Sequence, residues 1–327
     1  GVARAHLAYY YANVLAFKAC PEHPMLVLRL AKLLLFHIGL GMLATTWRLT
    51  TSANRAFFAY VVLGFLFYQF FYSVFRNLKD DVILSLFMMI MALADRRLGP
   101  EARALPGHTP GRIFAGWVII AALIWLASTV RFYTGLALVG AFALHAITGS
   151  GMRIVYRAAL ATLVFLGFVG FTMSAGYDLV EKVGGVSSVF EGIAQGHDVF
   201  KVFVSPLPWQ HTNRLLAPAH TLYLILLAAA VVAFFMRFRR NLDWKLYLVL
   251  NIAVVVGGVL HDFSPRKRYI MYPVFMSWVL TAGKRRRGAG DGGSVASSHE
   301  DYVVPLPSRG RYAASYARRA AAHGPSR

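Results

Sequence analysis

A single cysteine in 327 residues, Cys20, excludes an internal disulfide and any cysteine-based metal cluster. Acidic side chains are scarce too: 14 Asp and Glu stand against 34 Lys and Arg, a formal charge of +20. Charge of either sign makes up only 15% of the chain, while 57% is hydrophobic and the mean hydropathy is +0.54. No basic soluble domain accompanies the positive excess, so nucleic acid is set aside as a partner. Anionic lipid headgroups and membrane topology account for the excess better. The short alternating segments of a transmembrane barrel are also missing. What the chain has instead is a series of long apolar runs. In hydrocarbon every backbone N–H and C=O needs an internal partner, so these runs predict spanning helices in an all-α, polytopic membrane protein.

Nine spans are expected, at residues 25–46, 56–75, 78–94, 113–130, 134–148, 154–174, 219–236, 244–260 and 269–283. The chain opens at Gly1, and HLAYYYANVLAF reads as the tail of a helix, so a truncated N-terminus is expected. Nothing there has the basic, apolar, small-residue order of a signal peptide. Residues 113–148 pose a choice. A single helix of that length would run roughly 54 Å, well beyond the ~30 Å of hydrocarbon, with Arg131 near the midplane. Two helices meeting at RFYTG, with Gly135 easing the turn, are predicted instead. Residues 1–283 thus form a transmembrane domain with a long outer loop at 175–218. The Gly-, Ser- and Arg-rich residues 284–327 form a disordered basic cytoplasmic tail.

Orientation follows from the basic loops. Lys284, Arg285, Arg286 and Arg287 abut the last span, which places the C-terminus in the cytoplasm. Counting back puts WRLTTSANR, ADRRLGPEARALPGHTPGR, TGSGMRIVYR and MRFRRNLDWK on the same side. The outer side then collects RNLKDD (76–81), RFY (131–133), SPLPWQ (205–210) and HDFSPRKRY (261–269).

Those four stretches supply the candidate site. Arg76, Lys79, Arg131, Arg266, Lys267 and Arg268 suit an anionic lipid headgroup, because Arg forks pair with phosphate oxygens and Lys adds a compact charge. Asp80, Asp81 and Asp262, the last beside His261, could act as general base on a hydroxyl or hold a divalent cation against a pyrophosphate. No cofactor is otherwise required. Trp209, between Pro206 and Pro208, offers a flat face to a sugar ring, and Tyr133 and Tyr269 add aromatic contacts. Taken singly, each residue has a plainer reading. The charges at 76–81 can anchor a helix end by snorkelling, Trp209 and Tyr269 can be interfacial aromatics, and RKR can be a simple headgroup contact. His261–Asp262 reads equally as an acid/base pair or an ordinary loop. His37 and His145, within spans, read as polar contacts between helices. Only the common side of the four stretches lifts the functional reading.

In their order along the chain these motifs resemble those of bacterial surface-polysaccharide membrane enzymes. Such enzymes are the oligosaccharide repeat-unit polymerases and polytopic glycosyltransferases that use polyprenyl-linked sugars. The matching residues are Lys79-Asp80, Arg131-Phe132-Tyr133, Pro206-Leu207-Pro208-Trp209 and Arg266-Lys267-Arg268-Tyr269, short motifs spread over roughly residues 55–283. The resemblance implies glycosyl transfer from a polyprenyl (pyro)phosphate carrier at the periplasmic face of the bacterial inner membrane. It also implies membrane lipids and other glycan-assembly membrane proteins as partners. Members that use monophosphate sugars usually carry an acid in a first outer loop, and this chain begins beyond any such loop. Two other classes remain open: a lipid-linked glycan transporter or flippase, and a non-catalytic membrane subunit. Transporters usually show paired repeats, and none is evident by eye here.

Overall fold

The computed structural model describes residues 7–72, 78–98, 110–149, 207–210, 216–237, 244–253 and 270–282, with residues 155, 156, 159, 162, 163, 203 and 204. Its regular elements are α1 (Leu7–Ala19), α2 (Pro24–Thr50), α3 (Ala53–Tyr72), α4 (Leu78–Leu98), α5 (Pro110–Val130), α6 (Phe132–Gly149), α7 (Leu216–Arg237), α8 (Trp244–Ala253) and α9 (Met271–Ala282). A 3-10 turn at Pro208–Gln210 precedes α7. The fold is all-α, with no strand among the described residues. Residues 284–327, where a basic tail is expected, lie outside the described residues, as does almost all of the expected span at 154–174 and most of the long loop.

Local chemistry explains where the helices stop. Pro24 sits in the first turn of α2, where its missing N–H costs no helical bond. The far end of α2 closes on Thr51, whose N–H and hydroxyl both donate to the Trp47 carbonyl, at 2.7 and 2.8 Å. Ser52 then caps α3 by accepting from the Arg55 N–H at 3.4 Å. Arg131 is the one-residue break between α5 and α6. Its N–H donates to the Ala127 carbonyl at 2.8 Å, and its carbonyl accepts from the Thr134 N–H at 3.1 Å, so both helix ends are satisfied there. The expected break is thus found, but Gly135 does not make the turn. It lies inside α6, where a Cβ would collide with the Ser128 hydroxyl, so its role is to let the two arms approach.

Contacts between named residues give the helix directions. Lys32 of α2 interacts electrostatically with Asp81 at the start of α4. Near the other end of α2, Thr46 Oγ1 accepts from Arg96 Nε at 3.0 Å. The two helices therefore run parallel. Between those points Gly39 lets α2 ride directly on α4, since a Cβ there would lie 2.6 Å from the Ser85 carbonyl oxygen. α5 runs the opposite way, with its early Gly116 under Arg97 and its last residue adjoining Arg131. α8 lies antiparallel on α6: Asn251 Nδ2 donates to the Ala137 carbonyl at 3.3 Å and the Tyr247 hydroxyl to Thr148 Oγ1 at 2.9 Å. α7 pairs with α9 through Tyr223 on Tyr272 and Phe234 on Trp278, ring centroids 4.6 and 5.3 Å apart.

The last turns of α2, α4 and α6 and the first turn of α8 lie at the end of the bundle that carries Asp95. Most residues of the basic stretches expected to join them lie outside the described residues.

Burial separates a centre from a periphery. α4 is buried almost all round between Ile83 and Ala94, and Phe87, Ile90 and Met91 pack into a core shared with Phe36, Leu40 and Trp47 of α2. The outer faces of α2, α5 and α7 are apolar as well, exposing Leu34, Trp125 and Phe235 among others. Among the described residues two helices, Pro24–Leu49 and Gly111–Val130, are long and apolar enough to cross a membrane.

Candidate functional site

The first turn of α4 carries Asp80 and Asp81, and its last turn carries Arg96 and Arg97, which sets each charge against the opposing end of the helix dipole. α4 is, with α9, one of the most buried helices among the described residues, so these end charges meet protein more than water. Their partners differ at the two ends.

At the Asp80 end, Arg131 Nη2 lies 2.6 Å from Asp80 Oδ1, with side-chain exposures of 12% and 6%. The pair joins α4 to the α5–α6 break. A buried ion pair of this kind costs several kcal/mol per charge in desolvation, offset only by close geometry and further hydrogen bonds. Asp81, one residue on, is not absorbed in this pair. Its Oδ1 is buried with no hydrogen-bond partner among the described residues, while its side chain interacts electrostatically with Lys32 and with Asp80. Lys32 Nζ is buried with no hydrogen-bond partner among the described residues either. So is the hydroxyl of Thr134, in the first turn of α6 beside Arg131. Three buried polar atoms, on α2, α4 and α6, thus have no hydrogen-bond partner among the described residues. Buried polar groups are normally paired, and a lone unsatisfied group commonly costs ~1–3 kcal/mol, so this end of α4 is the candidate site for a polar ligand.

The opposite end is closed differently. Lys245 Nζ of α8 pairs with Asp95 Oδ2 at 2.9 Å and donates to Ser277 Oγ of α9 at 3.1 Å. The Trp244 indole N–H donates to Asp95 Oδ1 at 3.2 Å. Arg96 reaches the hydroxyls of Thr45 and Thr46, at 2.9 and 3.0 Å. Asp95, Lys245, Trp244 and Arg96 thus all have partners at this end, while Arg97 donates from Nη1 to the Leu93 carbonyl at 2.9 Å and its Nε is buried with no hydrogen-bond partner among the described residues. The cluster ties α2, α4, α8 and α9 together.

The residues expected from sequence fall into four groups. Asp80, Asp81 and Arg131 are brought to one end. Lys79 and Tyr133 sit on the helices flanking that end, with side chains outside the described residues. Arg76, His261, Asp262, Arg266, Lys267, Arg268 and Tyr269 lie outside the described residues altogether. Trp209 is 77% exposed on the 3-10 turn, which packs against α7. His37 makes the expected contact between helices, its Nδ1 lying 2.8 Å from the Tyr60 hydroxyl of α3. His145 lies beside Tyr247 of α8, ring centroids 6.4 Å apart.

Lys32 is not among the residues expected from the sequence. The signal was present in LRLAKLLLF, where Arg29 and Lys32 interrupt an apolar run and so need a partner or a route to water. Asp95 and Lys245 are likewise not among the residues expected, since they read as loop charges. Among the described residues no group of three or more His, Cys, Asp or Glu side chains is placed to hold a metal ion. Comparison with known proteins yields no match, whether to a family model, a curated protein or a solved structure.

Proposed function

We propose that this chain is a multi-pass membrane glycosyltransferase or polysaccharide polymerase that moves sugar from a polyprenyl (pyro)phosphate carrier to a growing surface glycan. The observation that carries the reading is the buried Asp80–Arg131 pair with Asp81 left beside it. Two adjacent carboxylates in different surroundings suit different tasks. Asp80 holds the Arg131 guanidinium in place, and the remaining donors of that fork face the leaving group. Asp81 serves as general base.

The step balances simply. An acceptor hydroxyl gives its proton to the Asp81 carboxylate as its oxygen bonds to the anomeric carbon of the donor sugar. The bond from that carbon to the carrier oxygen breaks, and the (pyro)phosphate departs with the electron pair. Negative charge builds on that leaving group in the transition state, where a fixed guanidinium in a dry setting stabilises it more than it stabilises the ground state. Lys79, Arg266, Lys267 and Arg268 complete the cationic grip in this reading, with Trp209 and Tyr133 against the sugar. Nine spans, a periplasmic Asp80 end and a cytoplasmic C-terminus belong to the same proposal. Apolar outer faces and two helices of spanning length support it.

The test is a transfer assay on the full chain in proteoliposomes with polyprenyl pyrophosphate-linked sugar. Arg131→Ala abolishes product while the protein still inserts, and Arg131→Lys restores only a small part of it, because an ammonium lacks the fork. Full-length product from Arg131→Ala removes the proposal.

One observation favours a second reading, a lipid-linked glycan transporter. Buried ion pairs close both ends of α4, Asp80–Arg131 at one and Asp95–Lys245 at the other, and Asp80 and Asp95 are about 22 Å apart along the helix. Two such pairs could alternate as gates. Counterflow of labelled lipid-linked sugar without bond formation selects this reading. Bond formation without counterflow selects the transferase.

A further inference from the structure

We infer that Lys32 of α2 and Asp81 of α4 form a subsite for a hydroxyl group of a polyhydroxylated, sugar-like ligand. In the transferase reading, on which this inference rests, that ligand is the acceptor.

Lys32 is only 7% exposed, deep in a helix whose neighbouring turns carry Leu28 and Phe36 into the core. Its ammonium has three protons to donate and no acceptor among the described residues, and Asp81 Oδ1 has lone pairs and no donor. The two side chains nevertheless interact electrostatically, with Arg29 adding a repulsive contribution to Lys32. No hydrogen bond joins these two atoms, although α2 and α4 run side by side from here to Thr46 and Arg96. Arg131 shows the alternative, since it closes onto Asp80 directly.

The chemistry of the two unpartnered atoms narrows what can satisfy both. A fully ionised phosphate oxygen would satisfy Lys32 and be repelled by Asp81. A cation would satisfy Asp81 and be repelled by Lys32. A hydroxyl donates to one and accepts from the other, so it answers both orphans at once. A water molecule has the same local chemistry, but the unsatisfied Thr134 hydroxyl at this end of the bundle offers a further contact to a ligand with more than one hydroxyl. The division of labour is then clear: Arg131 faces the anionic carrier, and Lys32 with Asp81 faces the sugar that is to be extended. For a general base, this places the proton to be removed where the carboxylate already lacks a donor.

The test separates the two halves with two amphiphiles. The full chain is placed in lipid nanodiscs, free of sugar-bearing detergent, and titrated with radiolabelled octyl β-D-glucoside or with geranylgeranyl pyrophosphate. Wild type binds the glucoside saturably. Lys32→Met and Asp81→Asn each weaken that binding at least tenfold and leave pyrophosphate binding within twofold, which also reports an intact fold. Glucoside binding unchanged in both variants overturns the subsite. So does wild-type binding no tighter than that of the Lys32→Leu/Asp81→Leu double variant. Sugar transfer is measured alongside on the same discs. Glucoside binding as expected with no transfer keeps the subsite and removes the transferase reading. Transfer without the expected glucoside binding does the reverse.

Discussion

Arg131 and Asp80 meet at 2.6 Å although 51 positions separate them, and through them the break between α5 and α6 is pinned to the first turn of α4. Removing one partner leaves the other buried and uncompensated, at a typical cost of ~3–5 kcal/mol. Asp80→Ala and Arg131→Ala each lower thermal stability in mild detergent by that order. The Asp80→Ala/Arg131→Ala double variant loses clearly less than the two losses added together. Additive losses in this double-mutant cycle contradict a direct pair.

Asp95 and Lys245 make the corresponding tie at the other end, where the Trp244 indole and Ser277 complete their hydrogen bonds. Lys245→Met therefore destabilises by roughly the same few kcal/mol through the stranded Asp95 carboxylate. In the transferase reading its sugar-transfer rate per folded molecule stays within about twofold of wild type, since the chemistry lies about 22 Å away along α4. A tenfold loss of rate with full folding argues for the gated transporter.

Two glycines of α2 that look alike in sequence should respond differently. Gly41 faces open space, so Gly41→Ala is neutral or adds up to about 1 kcal/mol from helix propensity. At Gly39 a new Cβ would lie 2.6 Å from the Ser85 carbonyl oxygen, a backbone atom that cannot swing aside. Gly39→Ala forces α2 off α4 at a cost of roughly 1–3 kcal/mol. Melting temperatures of the two variants decide the point.

Trp209 is 77% exposed, so Trp209→Ala leaves the melting temperature unchanged. If its ring lies on a sugar, as in the proposed function, KM for the lipid-linked donor rises several-fold in the transfer assay. Unchanged kinetics reduce Trp209 to an interfacial anchor.

Much of the architecture could be read from the chain because apolar runs and their interruptions are local signals. Helix followed apolar run from α2 to α6, and the break at Arg131 was foreseen from the length of residues 113–148 and the cost of a charge inside them. The role of Gly135 was misjudged, because the same residue type serves a turn and a close crossing, and only the neighbour across the gap tells them apart. Of the candidate site, Asp80, Asp81 and Arg131 were legible as charges in awkward places. Lys32 was not, since its isolation means little until α2 is seen to run parallel to α4 and bring it to Asp81.

Composition and hydropathy by themselves determined the helical class and the apolar outer faces, because these depend on each segment's own solvation. Which carboxylate is tied and which is left open was settled only by the tertiary structure. Asp80 and Asp81 are chemically equivalent neighbours in sequence, yet a helix turns ~100° per residue. One therefore faces the α5–α6 break and its arginine, and the other faces α2 and its lysine.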